Sequence, residues 1–348
     1  MFEQKDTEFI TLSRFVLDEQ KWHKEATGDL SILLSSLQVA CKFVESIVRK
    51  AGLVGMLGEE GSVNVQGEGQ KKLDVLANKL FIQSLKSSGC VAYMVSEENK
   101  DVIIVEPKSE CDKNAKYCVA FDPIDGSSNI DTGINVGTIF GVFRMKEDAK
   151  NPEDSFLVSG NNIIVAGYCM YGSSCNLVIT LGNNNVNGFT LNPSLGEFIL
   201  THPNIRTPEH GDTYSINEGK YTKWDEATKA YIDFLKLHQE GGKTYASRYI
   251  GSMVADVHRT LMSGGIFAYP VDSENTNGKL RTLYESFPMA FLCEQAGGKA
   301  TTGAKRVLDI VPRSIHDRCP IFLGSKENVE TVEEFFEIYS NNLTPAFR

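Results

Sequence analysis

Apolar residues recur with a helical period through the first quarter of the chain. Leu30, Leu33, Leu37, Ala40, Val44, Ile47 and Val48 share one face of a segment that opens near Thr27-Gly28-Asp29 and stops at Gly52. Leu73, Leu76, Leu80 and Leu85 predict a second helix, closed by Gly89. The period then shortens, and residues 91–95, 102–105 and 117–121 read as strands. From Ile163 to Leu200, β-rich stretches alternate with Gly172-Ser173-Ser174, Gly182-Asn183-Asn184-Asn185 and Asn192-Pro193, which predicts an antiparallel meander. Beyond His202-Pro203, residues 224–238 and 252–263 read as helices, while 265–271 and 320–323 read as extended chain. Pro288 opens and Gly297-Gly298 closes a further helix over 289–296. The pattern gives a mixed α and β protein whose character changes near residue 200, with units 1–200 and 201–348 expected.

Composition narrows the function classes. At 348 residues and 41% apolar content the chain builds a full core without staples. Its eight cysteines form no Cys-x-x-Cys pair, so reduced thiols are expected. A formal charge of −10 argues against nucleic acid as a partner, because counterion displacement needs a basic surface. No continuous apolar run approaches the roughly 18 residues that span a bilayer, so no membrane partner is expected. The ending Thr344-Pro345-Ala346-Phe347-Arg348 carries no peroxisomal-type tripeptide, which favours the cytoplasm. A peroxisome-like organelle is the alternative address if the natural chain runs further.

The most informative chemistry is Asp122-Pro123-Ile124-Asp125-Gly126-Ser127-Ser128-Asn129, entered from the apolar run Tyr117-Cys118-Val119-Ala120-Phe121. Pro123 suits the second position of a type I turn that would bring the Asp122 and Asp125 carboxylates to one side of a tight loop. Two close carboxylates repel unless a cation sits between them, and a hard ion such as Mg²⁺ takes oxygen ligands. Gly126 permits close backbone approach, and Ser127 and Ser128 offer amides and hydroxyls to phosphate if a helix begins there. Three other acidic positions accompany the motif: Asp74, Glu97-Glu98 and Glu285. Taken singly, each reads as a solvated surface charge.

The motif resembles the signature of the sugar bisphosphatase branch of the lithium-sensitive phosphatase superfamily, specifically the fructose-1,6-bisphosphatases. The likeness runs from Thr11-Leu12-Ser13-Arg14-Phe15 to Val307-Leu308-Asp309-Ile310-Val311-Pro312. It implies a layered α-β-α-β-α sandwich of two α/β domains. The strings Asn64-Val65-Gln66-Gly67-Glu68 before Asp74, Val95-Ser96 before Glu97-Glu98, and Leu283-Tyr284 before Glu285 match the family. By that likeness Glu97, Asp122, Asp125 and Glu285, with the carbonyl of Ile124, hold Mg²⁺. Glu98 is counted among the metal residues as well, more than one ion is expected per site, and Mn²⁺ is an alternative occupant. Asp74 and Glu98 then orient and deprotonate the attacking water.

The same resemblance makes Asn217, Tyr249, Tyr269 and Lys279 the pocket for a distal phosphate, with Arg248 supplied by a neighbouring subunit of a homotetramer. One departure is that Lys220 separates Gly219 from Tyr221 where some members place an aromatic, which puts one phenol of that pocket in question. Thr27, Gly28, Asp29, Leu30 and Ser31, together with Lys116, Tyr117 and Arg144, resemble the family's inhibitory AMP site. The implied activity is removal of the 1-phosphate of fructose 1,6-bisphosphate in gluconeogenesis. A sedoheptulose 1,7-bisphosphatase, an inositol monophosphatase relative and a non-catalytic sugar-phosphate or nucleotide sensor are the competing readings. The AMP-like segment and the Lys279, Tyr269 and Tyr249 pocket disfavour the first two, and the full set of acids disfavours the sensor.

Overall fold

The computed structural model describes residues 9–21, 27–53, 55–63, 69–107, 115–146, 148–237 and 244–340. The string Asn64 to Glu68 and the ending Thr344 to Arg348 lie outside them. Helices α1 (Leu12–Gln20), α2 (Asp29–Val48) and α3 (Lys72–Ser87) come first, with a two-stranded antiparallel sheet of β1 (Glu59–Val63) and β2 (Gly69–Lys71) between α2 and α3 in the chain. The main sheet contains β3 (Val91–Ser96), β4 (Ile103–Ile104), β5 (Tyr117–Asp125), β6 (Val136–Arg144), β7 (Ile163–Tyr171), β8 (Cys175–Thr180), β9 (Val186–Asn192) and β10 (Glu197–His202). Its eight strands run in the order β10-β9-β8-β7-β6-β5-β3-β4, so the expected meander is present. The second sheet has five strands, ordered β12 (Ala246–Ser247), β11 (Thr213–Ser215), β13 (Ile266–Tyr269), β15 (Ile321–Gly324) and β14 (Lys299–Thr301). Helices α4 (Glu226–Leu237), α5 (Met253–Ser263), α6 (Phe287–Gln295) and α7 (Lys326–Ser340) complete it.

Strand alternation explains the layering. In β5, Val119 and Phe121 join a core with α1, α2 and α3, whereas Cys118 and Ala120 face a second core with α5 and α6. In the second sheet, Phe267, Ile321 and Leu323 join that same middle core, while Ile266, Ala268 and Phe322 pack on α4 and α7. Helices therefore cover both faces of each sheet, which gives the α-β-α-β-α order. This is why the strands read as unbroken apolar runs.

Two helix readings change in detail. The face of α3 that goes inward carries Leu73, Asp74, Ala77, Phe81 and Leu85, while Leu76 and Leu80 are half-buried. Asp74 thus lies on the buried stripe rather than on a solvated face. By length and composition alone α2 could cross a bilayer, but Leu33, Leu37, Ala40, Cys41 and Val44 bury one side of it in the core under the main sheet.

Where β6, β7 and β8 meet, a Cβ on Gly167 would come within 2.4 Å of Phe140 Cζ and 2.9 Å of the Val178 carbonyl. Gly167→Ala is expected to destabilise by about 1–3 kcal/mol through overpacking. A urea midpoint equal to that of the parent protein would show the sheet to be looser than drawn.

Candidate active site

Parallel pairing of β3 and β5 sets Ser96 opposite Phe121, so both chains leave the sheet at the same edge. The acids sit there, Glu97-Glu98 just beyond β3 and Asp122 and Asp125 at the end of β5, and the Glu97 amide donates to the Phe121 carbonyl at 3.3 Å. Ligand sites gather at such strand ends.

The expected type I turn at Pro123 is not formed. β5 continues through Pro123 and Ile124 to Asp125, and its register against β6 slips by one residue, Asp122 facing Ile139 and Asp125 facing Gly137. In a regular strand residues three apart point to opposite faces, so the bulge is what returns both carboxylates to one side. The buried Thr138 hydroxyl donates to the Pro123 carbonyl at 2.7 Å, satisfying an acceptor the bulge takes out of the ladder. Gly126 then turns the chain with φ of 75°, and a Cβ there would lie 3.1 Å from the Ser252 side chain. The helix expected at Ser127 and Ser128 is a short 3₁₀ turn, Ser127–Thr132.

Glu285 enters from the middle layer, on a single π-helical turn (Thr282–Ser286) that runs into α6. Carboxylate oxygens of Asp122, Asp125 and Glu285 lie within 4.8 Å of one another, and all three residues are buried. Burial pushes the Asp122 carboxyl well above its usual range, with the charges of Glu97, Glu285 and Asp125 adding to it. Burial also raises Asp125, to about 7, against the opposing hydrogen bonds from the Val254 amide (2.9 Å) and the Ser252 hydroxyl (3.2 Å). The buried Oδ1 of Asp122 has no hydrogen-bond partner among the described residues. An oxygen-rich, proton-hungry cluster with an orphaned carboxylate oxygen fits a hard divalent cation.

Glu97 belongs to the same field through Arg281, a residue the sequence reading passed over. The Arg281 guanidinium lies 2.7 Å from Glu97 and 3.9 Å from Glu285 and is itself buried. Asp74 and Glu98 fall outside the group of three: Asp74 is buried at the start of α3, its carboxylate accepting from the Lys71 amide at 2.9 Å, and Glu98 is half-buried.

The basic and phenolic residues share an edge of the second sheet. β11 pairs in parallel with both β12 and β13, so Arg248 and Tyr249 after β12, Asn217 after β11, and Tyr269 at the end of β13 all lie at carboxyl ends. Removal from water pushes the Tyr249 phenol up, and Tyr269, Asp256 and Asp125 add to the shift. Lys279 is half-buried on the approach to the π turn. Tyr221, beyond the inserted Lys220, donates its hydroxyl to Asp233 at 2.6 Å on α4, with the Lys236 ammonium 5.1 Å from its ring centre.

A separate cavity of about 640 Å³ lies at the start of α2, where Thr27, Gly28, Leu30 and Ser31 meet Lys116, Tyr117 and Arg144. Its far wall comes from residues outside the sequence reading, among them Gln20, Leu181, Phe291 and Gln295. Asp29 does not line it; its carboxylate takes the Thr27 hydroxyl at 2.7 Å and the Lys116 ammonium at 3.1 Å.

Comparison with known proteins shows the family. The family model "Fructose-1-6-bisphosphatase, N-terminal domain" matches residues 10–203, and "Fructose-1-6-bisphosphatase, C-terminal domain" matches 207–337. The chain belongs to the fructose-1,6-bisphosphatase family. It is 54% identical over 330 residues to the cytosolic fructose-1,6-bisphosphatase of Oryza sativa subsp. indica, covering 95% of this chain and 96% of the rice protein. With the cytosolic enzyme of Solanum tuberosum it shares 54% identity over 336 residues, 97% of each chain. The holo crystal structure of Leishmania major fructose-1,6-bisphosphatase superposes with a TM-score of 0.88 at 42% identity, covering 95% of this chain and 100% of that one.

The raised carboxyls set a pH dependence. In the metal-free protein both acids keep protons that the unfolded chain releases; for Asp125 this makes stability fall as pH rises from about 4 to about 7, and the raised Asp122 carboxyl adds a loss in the same direction. A divalent cation needs the deprotonated form and relieves that cost. The rise in melting temperature produced by Mg²⁺ over EDTA is therefore expected to be larger at pH 7.5 than at pH 5.5. A rise independent of pH would contradict a site at these acids.

Proposed function

We propose that the chain hydrolyses the 1-phosphate of D-fructose 1,6-bisphosphate to fructose 6-phosphate and inorganic phosphate in the cytosol, with divalent cations at the acid cluster and AMP as an inhibitor. The convergence of Asp122, Asp125 and Glu285 within 4.8 Å carries the reading. Asp122, Asp125, Glu285, Glu97 and the Ile124 carbonyl would hold more than one ion, Mg²⁺ or Mn²⁺. Bound there, the cations supply Lewis-acid charge for the phosphoryl oxygens and the departing sugar oxygen.

The amides and hydroxyls from Gly126 to Ser128 receive the 1-phosphate. Asp74 and Glu98 orient a water and take its proton as its oxygen bonds to phosphorus; the bond from phosphorus to the sugar oxygen breaks with its electron pair on that oxygen, which takes a proton from solvent water so that the sugar leaves as an alcohol, and the carboxylate releases its proton to solvent. Asn217, Tyr249, Tyr269 and Lys279 hold the 6-phosphate, and Arg248 reaches it from a neighbouring subunit of a homotetramer. Arg248 is solvent-exposed in the single chain, which suits that use. Mutating Asp122, Asp125 or Glu285 to alanine is expected to lower kcat on the order of 10³-fold or more. Arg248→Ala instead raises KM, and mixing it with Asp122→Ala restores some high-affinity activity only if sites are shared. Full turnover in the three acid variants removes the metal assignment.

AMP would occupy the cavity at the α2 terminus, its phosphate on the amides of residues 28–31 beside Arg144 and Lys116 and its ribose or base against Tyr117. The cavity's separation from the acids supports inhibition that is not competitive with substrate. Lys116→Ala and Arg144→Ala are each expected to weaken AMP inhibition roughly 10-fold with kcat nearly unchanged, the scale of one charge-assisted contact. Dose–response curves at saturating substrate test this, and wild-type potency in the double variant would refute it.

A further inference from the structure

Asp256, on α5, is fully buried and sits beneath the exposed segment that carries Arg248 and Tyr249. Its two carboxylate oxygens collect donors from three directions. The Ile250 amide lies 3.1 Å from each oxygen and the Gly251 amide 3.0 Å from Oδ2. The Ser215 hydroxyl, at the end of β11, donates to Oδ1 at 2.7 Å, and the Arg259 guanidinium does so at 3.1 Å.

The same segment is tied on its other side to the metal loop. Asn129 Nδ2 donates to the Gly251 carbonyl at 3.0 Å, and Ser252 and Val254 both donate to Asp125. Upstream, the Arg248 amide donates to the Tyr214 carbonyl at 2.9 Å. Gly251 bends the chain with φ of 85°, and among the described residues the only atom within 4 Å of a Cβ built there, beyond its chain neighbours, is Tyr249 Cε1 at 3.7 Å. The bend is therefore held by hydrogen bonds to its backbone rather than by packing around Gly251.

We propose that Asp256 is a positioning residue that sets the Arg248 and Tyr249 side chains for the distal phosphate, by fixing the Ile250-Gly251 backbone against the loop that carries Asp125. The inference rests on the proposed bisphosphate substrate. A carboxylate is required because every converging partner is a donor. An amide of the same shape offers one acceptor oxygen and turns its NH₂ against an N–H of Ile250 or Gly251, so the bend loses a support while the volume is unchanged.

The test uses purified full-length protein with Mg²⁺ and fructose 1,6-bisphosphate. Asp256→Asn is expected to raise KM roughly 10-fold while lowering kcat by less, and to add less than about twofold to KM in an Arg248→Ala background. Amide hydrogen exchange is expected to speed up at Ile250 and Gly251 by roughly 10-fold while residues 257–261 of α5 stay protected. Should Asp256→Asn fail to fold, Ser215→Ala removes the shortest side-chain bond and is expected to reproduce a smaller KM rise that again disappears with Arg248→Ala. An equal KM change in both backgrounds, or exchange that accelerates along all of α5, overturns the proposal in favour of general core support. If the parent protein does not turn over this substrate, the functional reading fails, and the exchange pattern still decides whether Asp256 fixes the bend.

Discussion

Concentrated negative charge out of water is the constraint on which the rest of the molecule depends. Asp122, Asp125, Glu97 and Glu285 are buried in one region, and Arg281 supplies positive charge at 2.7 Å from Glu97 and 3.9 Å from Glu285. Each carboxylate there would be costly without compensation. The fold meets the cost in several ways: the Arg281 guanidinium, donors from the start of α5 to Asp125, and protons retained on Asp122 and Asp125 at pH values where exposed acids have lost them. A cation that displaces those protons acts on groups already fixed in direction by the strand bulge and the π turn.

Two parallel pairings place the chemistry. β3 beside β5 delivers acids to one edge of the main sheet, and β11 between β12 and β13 delivers basic and phenolic residues to an edge of the second. The middle helices connect them: α5 starts with amide and hydroxyl bonds to Asp125, and its Asp256 holds the backbone next to Tyr249. The two edges are thereby linked through two buried carboxylates, Asp125 and Asp256, that hold backbone amides on either side of Ser252.

Much of this was legible in the sequence, and the parts that were not have physical reasons. The run from Asp122 to Asn129 revealed its chemistry because two acids, a glycine and two hydroxyls crowd into one short segment. Its geometry was misread, since proline with aspartates signals a turn as readily as a bulge, and only pairing with β6 separates the two. Asp74 looked solvated because the leucines at 76 and 80 drew the buried face to the wrong side of α3, whereas Ala77 and Phe81 mark the true stripe. Arg281 and Asp256 left no local signal. Both have near partners, Glu285 for one and Ile250 and Gly251 for the other, but each is also joined to a residue distant in sequence, Glu97 and Ser215 respectively, and those contacts exist only in the folded chain.

The cavity at the α2 terminus and the acid cluster are separate sites that share one element. The π turn bearing Glu285 runs directly into α6, and α6 reaches the cavity with Phe291 and, at its last residue, Gln295. Gln295 is also fixed from outside, its side chain accepting from the Asn184 amide and its carbonyl accepting from Arg206 at 3.0 Å. A buried helix inside a close-packed layer does not bend to absorb small displacements; it shifts as a body or stays. A ligand in the cavity therefore alters the cluster only if two placements of such elements differ in how well they hold it, because equal affinity for both moves no equilibrium. Were a second placement of α6 to hold Glu285 less well against Asp122 and Asp125, metal affinity and cavity occupancy would be reciprocal properties of the same rigid connection.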